Sequence, residues 1–374
     1  MAFALSEEEK AIQSSVREFA RKEFAPLVPQ IEEENTIPPI VWDKLKELRI
    51  MGLPFEEEYG GVGATFTGFI LAIEEIGQVC PPIANLPMEN VMTSLALRRF
   101  GTEEQKKKYM IPLIKGERRA CWAFTEPSTG SDPRAFVTRA VLDGDEYVVN
   151  GSKRFITGVF TADLTTLFAK TKGDKAGAFV AETNRDGFIP GKREQLMGFR
   201  GLAVGDLTLE DFRIPKENVL GKDDEGFRVL LEIEAESRIR SAALSVGMAQ
   251  AALDEAVAYS KQRQQRGHPI SDFLTIKWQL AEMAMKVEAA RYLVYRCAYQ
   301  RDQGKRIRKD SAIAKLFCST TAREIASISF QVHGCYGYSK DFKIERIYRD
   351  VKLNEVAGGN ADLQRIIVAN ELLK

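Results

Sequence analysis

The sequence predicts an α+β chain in three successive parts: an all-helical domain over 1–120, a central antiparallel β domain over 121–225, and a second helical domain over 226–374. Two observations predict it. Before residue 120 and after residue 226, apolar residues recur three and four positions apart, the period of a half-buried helix. Between 136 and 220 they gather into short runs about ten residues apart, divided by Gly, Asp and Lys turns with no helical stretch between them, as antiparallel strands require.

Ser6 and Glu9 have capping-box spacing, and Ile12, Val16, Phe19 and Ala20 follow on one face, so residues 7–24 form a helix ended by Pro26 and Pro29. Val41 to Ile50 is a second helix, closed by Gly52 and Pro54. Glu56 to Gly63 is glycine-rich but lacks the Lys-Ser/Thr ending of a phosphate loop, so it is a bend between helices. Phe69 to Val79 and Pro87 to Phe100 are further helices, and Glu103 to Tyr109 starts another.

Val137 to Leu142, the turn Asp143-Gly-Asp, and Tyr147 to Asn150 read as a hairpin. Phe155 to Thr157, Leu164 to Ala169, Gly177 to Glu182 and Asp206 to Phe212 continue the strands. Helix returns in Gly226 to Lys261, Ser271 to Gln303 (stopped by Gly304) and Asp310 to Val332, then from Ile344 to Leu373 around a Gly358-Gly359 break.

Composition narrows the function. With 44% hydrophobic and 28% charged residues the chain is an ordinary globular one, and 53 basic against 53 acidic residues give no field for nucleic acid or an anionic membrane. Five scattered cysteines without a Cys-x-x-Cys pair fit a reducing compartment, and two histidines argue against a metal site. Acidic residues begin at once after Ser6, unlike a secretory or transit peptide, and no run of about 20 apolar residues exists to insert in a bilayer. The expected location is cytoplasmic, for the chain as made or as a processed form.

One stretch fits neither period: Trp122-Ala-Phe-Thr-Glu-Pro-Ser-Thr-Gly-Ser-Asp132. Its small residues admit close backbone approach, and the hydroxyls of Thr125, Thr129 and Ser131 are donors for a ring oxygen or a phosphate. It is either a ligand-contacting loop or a plain polar turn. The order of types in Ala123 to Asp132 resembles the first signature of the acyl-CoA dehydrogenase family, FAD-dependent flavoproteins that oxidise acyl-CoA thioesters. The resemblance runs through the whole chain, and it implies that the C-terminal domain is a four-helix bundle.

Further motifs carry it. Gly151-Ser-Lys-Arg-Phe-Ile-Thr157 is similar to the family's Gly-x-Lys-x-Trp-Ile-Thr strand, which lies against the flavin, with Phe155 in place of Trp. The resemblance thus implies FAD contacts from Trp122, Phe124, Thr125, Gly130, Ser131, Phe155 and Thr157. Gln331, Gly334 and Gly337 are similar to the Gln-x-x-Gly-Gly-x-Gly segment that reaches over a neighbouring subunit's cofactor, with Cys335 replacing the second glycine. Arg263 matches an arginine suited to the flavin pyrophosphate, although a bare run such as Ser260 to Gly267 also suits a solvated helix end. Asn360 completes the implied cofactor set.

Arg238 matches an arginine near the bound thioester, or forms an ion pair with Glu234 or Glu236, and the resemblance implies that Ser131 is shared between flavin and substrate. A homotetramer (dimer of dimers) and an electron-transfer flavoprotein or similar acceptor are implied as partners.

The pattern departs at the base. Family members carry a glutamate before the last helix, where this chain has Gly358, or directly before the helix arginine, where it has Ser237. Glu236 is adjacent, but one residue turns a helix by about 100°. Asn85, Met88, Glu89 and Met92 recur at spacings of three and four on a helix that lines the acyl pocket in relatives. Glu89 is therefore the candidate base, acting farther along the acyl group, as in 1,4-elimination from a cyclic or conjugated acyl-CoA, with hydride passing to flavin N5. Met88, Met92 and Gly358 are candidate substrate contacts, Gly358 by widening the site. The alternatives are a base-less FAD- and CoA-binding subunit of a heteromeric dehydrogenase or reductase complex, and a flavoprotein of different, oxygen-dependent chemistry.

Overall fold

The computed structural model describes residues 4–132, 134–173 and 175–374. The N-terminal part holds helices α1 (Glu7–Phe19), α2 (Val28–Glu34), α3 (Ile40–Glu47), α4 (Phe66–Val79), α5 (Pro81–Asn85), α6 (Met88–Phe100), α7 (Glu103–Gln105) and α8 (Ile111–Ile114). The Ser6 hydroxyl accepts the Glu9 N–H at 3.1 Å and the Glu9 carboxylate accepts the Ser6 N–H at 2.8 Å, so the capping box is reciprocal. Pro26 and Pro29 do not end the helical run. Each falls in the first turn of a new segment, where the missing N–H has no helical acceptor to lose, and the chain stays helical to Glu34.

The sheet holds β1 (Ala120–Ala123), β2 (Arg139–Asp143), β3 (Glu146–Thr157), β4 (Leu164–Lys170), β5 (Ala176–Glu182), β6 (Phe188–Arg193) and β7 (Val204–Pro215). Antiparallel pairs join β2 to β3, β3 to β7, β6 to β7 and β4 to β5. Two parallel joints accompany them: β1 lies along β4, and β2 meets β4 at Arg139 and Lys170. The two expected strands around Gly151 are one, β3. Two strands lack a readable pattern: β1 spans four residues, and β6 carries Pro190 and Gly191, tolerable at its place on the sheet edge.

The C-terminal part holds α9 (Gly226–Gln262), α10 (Leu274–Asp302), α11 (Arg308–His333), α12 (Lys343–Asp350), α13 (Leu353–Val356) and α14 (Ala361–Leu372). Helices α9, α10, α11 and α14 form the bundle, with α11 against the other three. The β part has its own core around Leu167, Phe179, Leu207 and Phe212, whereas both helical parts share one. They meet where α4 crosses α9. A side chain on Gly77 would strike Leu244, and one on Gly247 would strike the Glu74 carbonyl, so only glycine permits this approach. Among the described residues, no helix is long and apolar enough to cross a membrane, and no cluster of His, Cys, Asp and Glu is placed to hold a metal ion.

Candidate active site

The 122–132 stretch begins in β1, and the loop that follows is pinned from within. The buried Glu126 carboxylate accepts the N–H groups of Val137 (2.6 Å) and Thr138 (3.0 Å) and the Lys153 ammonium (2.9 Å), which also reaches the Phe124 carbonyl. Burial raises the Glu126 carboxyl, but Lys153 and these hydrogen bonds more than offset it and hold it below the usual carboxylate range. The sequence reading assigned neither residue a role. Strand parity carried the signal, since Tyr147, Val149 and Lys153 share the buried face of β3.

The same strand delivers Phe155. Its pairing with β7 slips between Lys153 and Ile156, and Phe155 adopts φ 58 with its side chain 55% exposed. A bulky residue in the left-handed region is a strained outlier of the kind that gathers at functional sites. Arg154 lies over its ring at 5.1 Å and donates its backbone N–H to the Thr125 carbonyl. Trp122 packs on Phe168, with ring centroids 5.0 Å apart, and Phe124 meets Phe136 and Phe168 edge-on. Thr125 and Thr157 are half-buried, Gly130 lies beside Thr125, and Ser131 is exposed.

Ser131 joins this loop to the C-terminal part. Asn360 donates to the Ser131 hydroxyl at 3.2 Å while its own carbonyl oxygen caps α14 through Leu363. Asn360 ends the turn Gly358-Gly359-Asn360, whose two glycines have φ 62 and 79. The Gly359 carbonyl accepts from Lys315 (2.6 Å) and Gln364 (2.8 Å). A Cβ on Gly358 would meet only the Ser241 hydroxyl, at 3.7 Å, so the position is open.

Helix α9 faces this turn. Steps of 100° place Glu234, Ser237, Arg238 and Ser241 on one face and Glu236 roughly opposite. Glu236 is buried and tied to Arg99 and to Arg301, so it does not pair with Arg238. Arg238 is 95% buried by its 5% exposure, its guanidinium is driven below its ordinary pKa by that burial, and its Nε and Nη1 have no hydrogen-bond partner.

Helix α6 supplies Glu89, half-buried beside the buried Met88 and Met92. Burial pushes its carboxyl up to about 7, against the pull of Arg240 and with the repulsion of Glu234. Arg240 is pushed down to about 10 by burial, and Lys315 to about 8 by burial and by Arg238. Burial likewise raises Glu234. The Glu89 charge also acts on Cys121 of β1, a thiol that burial, above all, pushes up to about 12. Glu89 thus stands near the strand that carries Trp122. Glu234, Arg240 and Lys315 were missed as site residues; Glu234 could have been found three positions before Ser237 on the same helix face.

The donors present fit an oxygen-rich ligand such as a flavin ring or a thioester. The Trp122 indole N–H, two nitrogens of Arg238 and the Nε of Arg240 are buried without an acceptor. Arg263, Gln331 and Gly334 form a separate, exposed group beyond the end of α9, where Arg263 lies over the Tyr336 ring at 5.2 Å. At about 1.5 Å per residue, Arg263 is roughly 37 Å from Arg238 along the helix. Within one chain they do not join the first group.

Known proteins share the fold and the order of its parts. Three acyl-CoA dehydrogenase family profiles match in succession: the N-terminal domain over residues 6–117, the middle domain over 121–212 and the C-terminal domain over 224–373. The chain is 38% identical to the short-chain-specific acyl-CoA dehydrogenase of Clostridium acetobutylicum across all of both chains. It is 36% identical to a subunit of the caffeyl-CoA reductase–Etf complex of Acetobacterium woodii, over 99% of each. Its fold superposes on butyryl-CoA dehydrogenase from Megasphaera elsdenii with a TM-score of 0.98, at 35% identity and over the full length of both. With all three of its parts matched, the chain belongs to the acyl-CoA dehydrogenase family, FAD-dependent oxidoreductases that act on acyl-CoA thioesters.

Proposed function

We propose that this acyl-CoA dehydrogenase takes two hydrogens from a cyclic or conjugated acyl-CoA, with Glu89 as the base, and passes the electrons to an electron-transfer flavoprotein. The observation that carries the reading is Glu89 itself: a half-buried carboxyl with a raised pKa beside Met88 and Met92, in a chain with Gly358 and Ser237 at the family's base positions. A carboxyl poised near neutrality suits proton abstraction. Bound FAD supplies the hydride acceptor. Trp122, Phe124, Thr125, Gly130, Phe155, Thr157 and Asn360 hold it, Ser131 serves cofactor and thioester, and Arg238 holds the thioester end. Met88, Met92 and the open space at Gly358 accept a bulky acyl group.

Anaerobic titration with linear and alicyclic acyl-CoAs tests this. Bleaching of the flavin by a cyclic acyl-CoA and not by butyryl-CoA is expected, and the reverse order overturns the reading. Gly358→Glu is expected to gain bleaching by butyryl-CoA, at a cost of about 1–2 kcal/mol in stability from the left-handed backbone there, read by urea unfolding. The reductase–Etf relative favours a second reading, a base-less subunit of a reductase complex, which turnover by the isolated chain excludes.

The assembly we propose is a cytoplasmic homotetramer, a dimer of dimers. It lets Arg263, Gln331 and Gly334 of one chain serve the cofactor of another. On α10, Leu274, Trp278, Met285 and Tyr292 recur four and then seven residues apart, and each is at least 59% exposed, an apolar stripe of the kind a second helix covers. Trp278→Glu is expected to halve the mass measured by light scattering, and an unchanged mass would place the interface elsewhere.

A further inference from the structure

A cleft of about 840 Å³ opens where all three parts of the chain meet, and none of its lining residues belongs to the site around Trp122 and Arg238. Its walls come from α2, the end of α4, one face of α9, α12 and the 197–200 segment between β6 and β7. Arg346 of α12 lines it and is nevertheless only 7% exposed. Its Nη2 donates to the Val79 carbonyl, the last of α4, at 3.3 Å, whereas its Nη1 is buried without a partner. Asp350, one turn on, is not that partner: its Oδ1 accepts the Phe199 N–H, and its Oδ2 is itself unpaired. A guanidinium nitrogen left dry in this way is costly unless an acceptor comes to it.

The other charges decide what kind of acceptor fits. Six basic and six acidic side chains line the cleft, so no net field draws in a polyanion such as a nucleotide. Several are spent on each other: Arg349 holds Glu32 and Glu345, and Lys343 holds Glu255. The exposed Arg21 and Lys340 are matched by the exposed Glu33 and Asp341. Among these charges, Val28, Pro29, Val79, Ala251 and Ile347 offer apolar surface. One dry donor beside apolar walls, in a volume within the range of small-ligand sites (roughly 300–1,000 Å³), suits a single negative charge on an apolar body. We propose that the cleft binds a monocarboxylic acid, its carboxylate on Nη1 of Arg346 and its apolar body along Val28, Pro29, Val79 and Ala251. Glu89 plays no part in this site.

The test is calorimetric titration of the FAD-loaded protein with octanoate and with cyclohexanecarboxylate, the flavin absorbance being followed in parallel. Saturable binding that leaves the flavin band in place is expected, since the cleft lies apart from the cofactor group. Arg346→Met/Asp350→Asn removes both charges, so neither is left alone. It should weaken binding roughly ten- to a hundredfold, the weight of a hydrogen bond between charged groups. Asp350→Asn alone keeps the guanidinium and should bind at least as well as wild type. Should the double variant not fold, octanol decides on the wild type: it should bind about tenfold more weakly than octanoate, or worse. Equal binding of octanol, equal binding by the double variant, or no binding of either acid at millimolar concentration overturns the site. Tighter binding of inorganic phosphate or AMP, lost in the double variant, overturns the carboxylate and assigns the cleft to phosphate.

Discussion

Glu89→Gln is expected to cut turnover of the substrate that bleaches the flavin by about a hundred- to ten-thousandfold, the span set by loss of a positioned proton acceptor. Glutamine keeps the shape and cannot take the proton, so KM and the flavin spectrum should change little. Undiminished turnover would remove Glu89 from the role. The pH dependence follows by sign: a base works only when ionised, so in the parent turnover should fall as pH drops through about 7. Stability runs the other way. A carboxyl whose pKa is raised on folding loses stability as pH climbs from the unfolded value of 4.5 toward the folded one, so Glu89→Gln should be no less stable than the parent at neutral pH.

Lys153→Met is expected to be the most damaging change away from the base. It leaves the Glu126 carboxylate, whose side chain is 1% exposed, without its cation, and an uncompensated buried charge costs about 3–5 kcal/mol. The double variant Lys153→Met/Glu126→Gln removes that charge and should recover part of the loss in urea unfolding. Equal losses in the two would show that the pair contributes only by packing. Because Glu126 ties the loop to Val137 and Thr138, FAD affinity should fall in both variants, by flavin fluorescence on release.

The helical, β, helical order was legible because burial imposes a period of 3.6 or 2 on any element with one wet face. The Ser6 cap and the Asp143 turn are local chemistry and were equally plain. β6 was hidden because an edge strand tolerates a proline, and the prolines after α1 misled because they suit a helix start as well as a stop. At the site, the residues carrying a motif could be named, but Arg240 could not. Its partner Asn85 is 155 positions away, and only the packing of α5 on α9 brings them together. Glu236 shows the converse: adjacent in sequence to the base position, it is spent on Arg99 and Arg301.

The shared helical core also bears on how the chain is made. Gly77 and Gly247 stand 170 positions apart, and the face of α4 that carries Gly77 has no cover until α9 exists, although α1 and α5 already pack on other sides of it. At a synthesis rate of roughly 5–20 residues per second, the first helices wait about ten to thirty seconds with an apolar face bare, while the β layer, closed around its own interior, can fold in the interval. Birth order thus makes the amino-terminal third a client for chaperones, and a fragment ending before α9 should be insoluble.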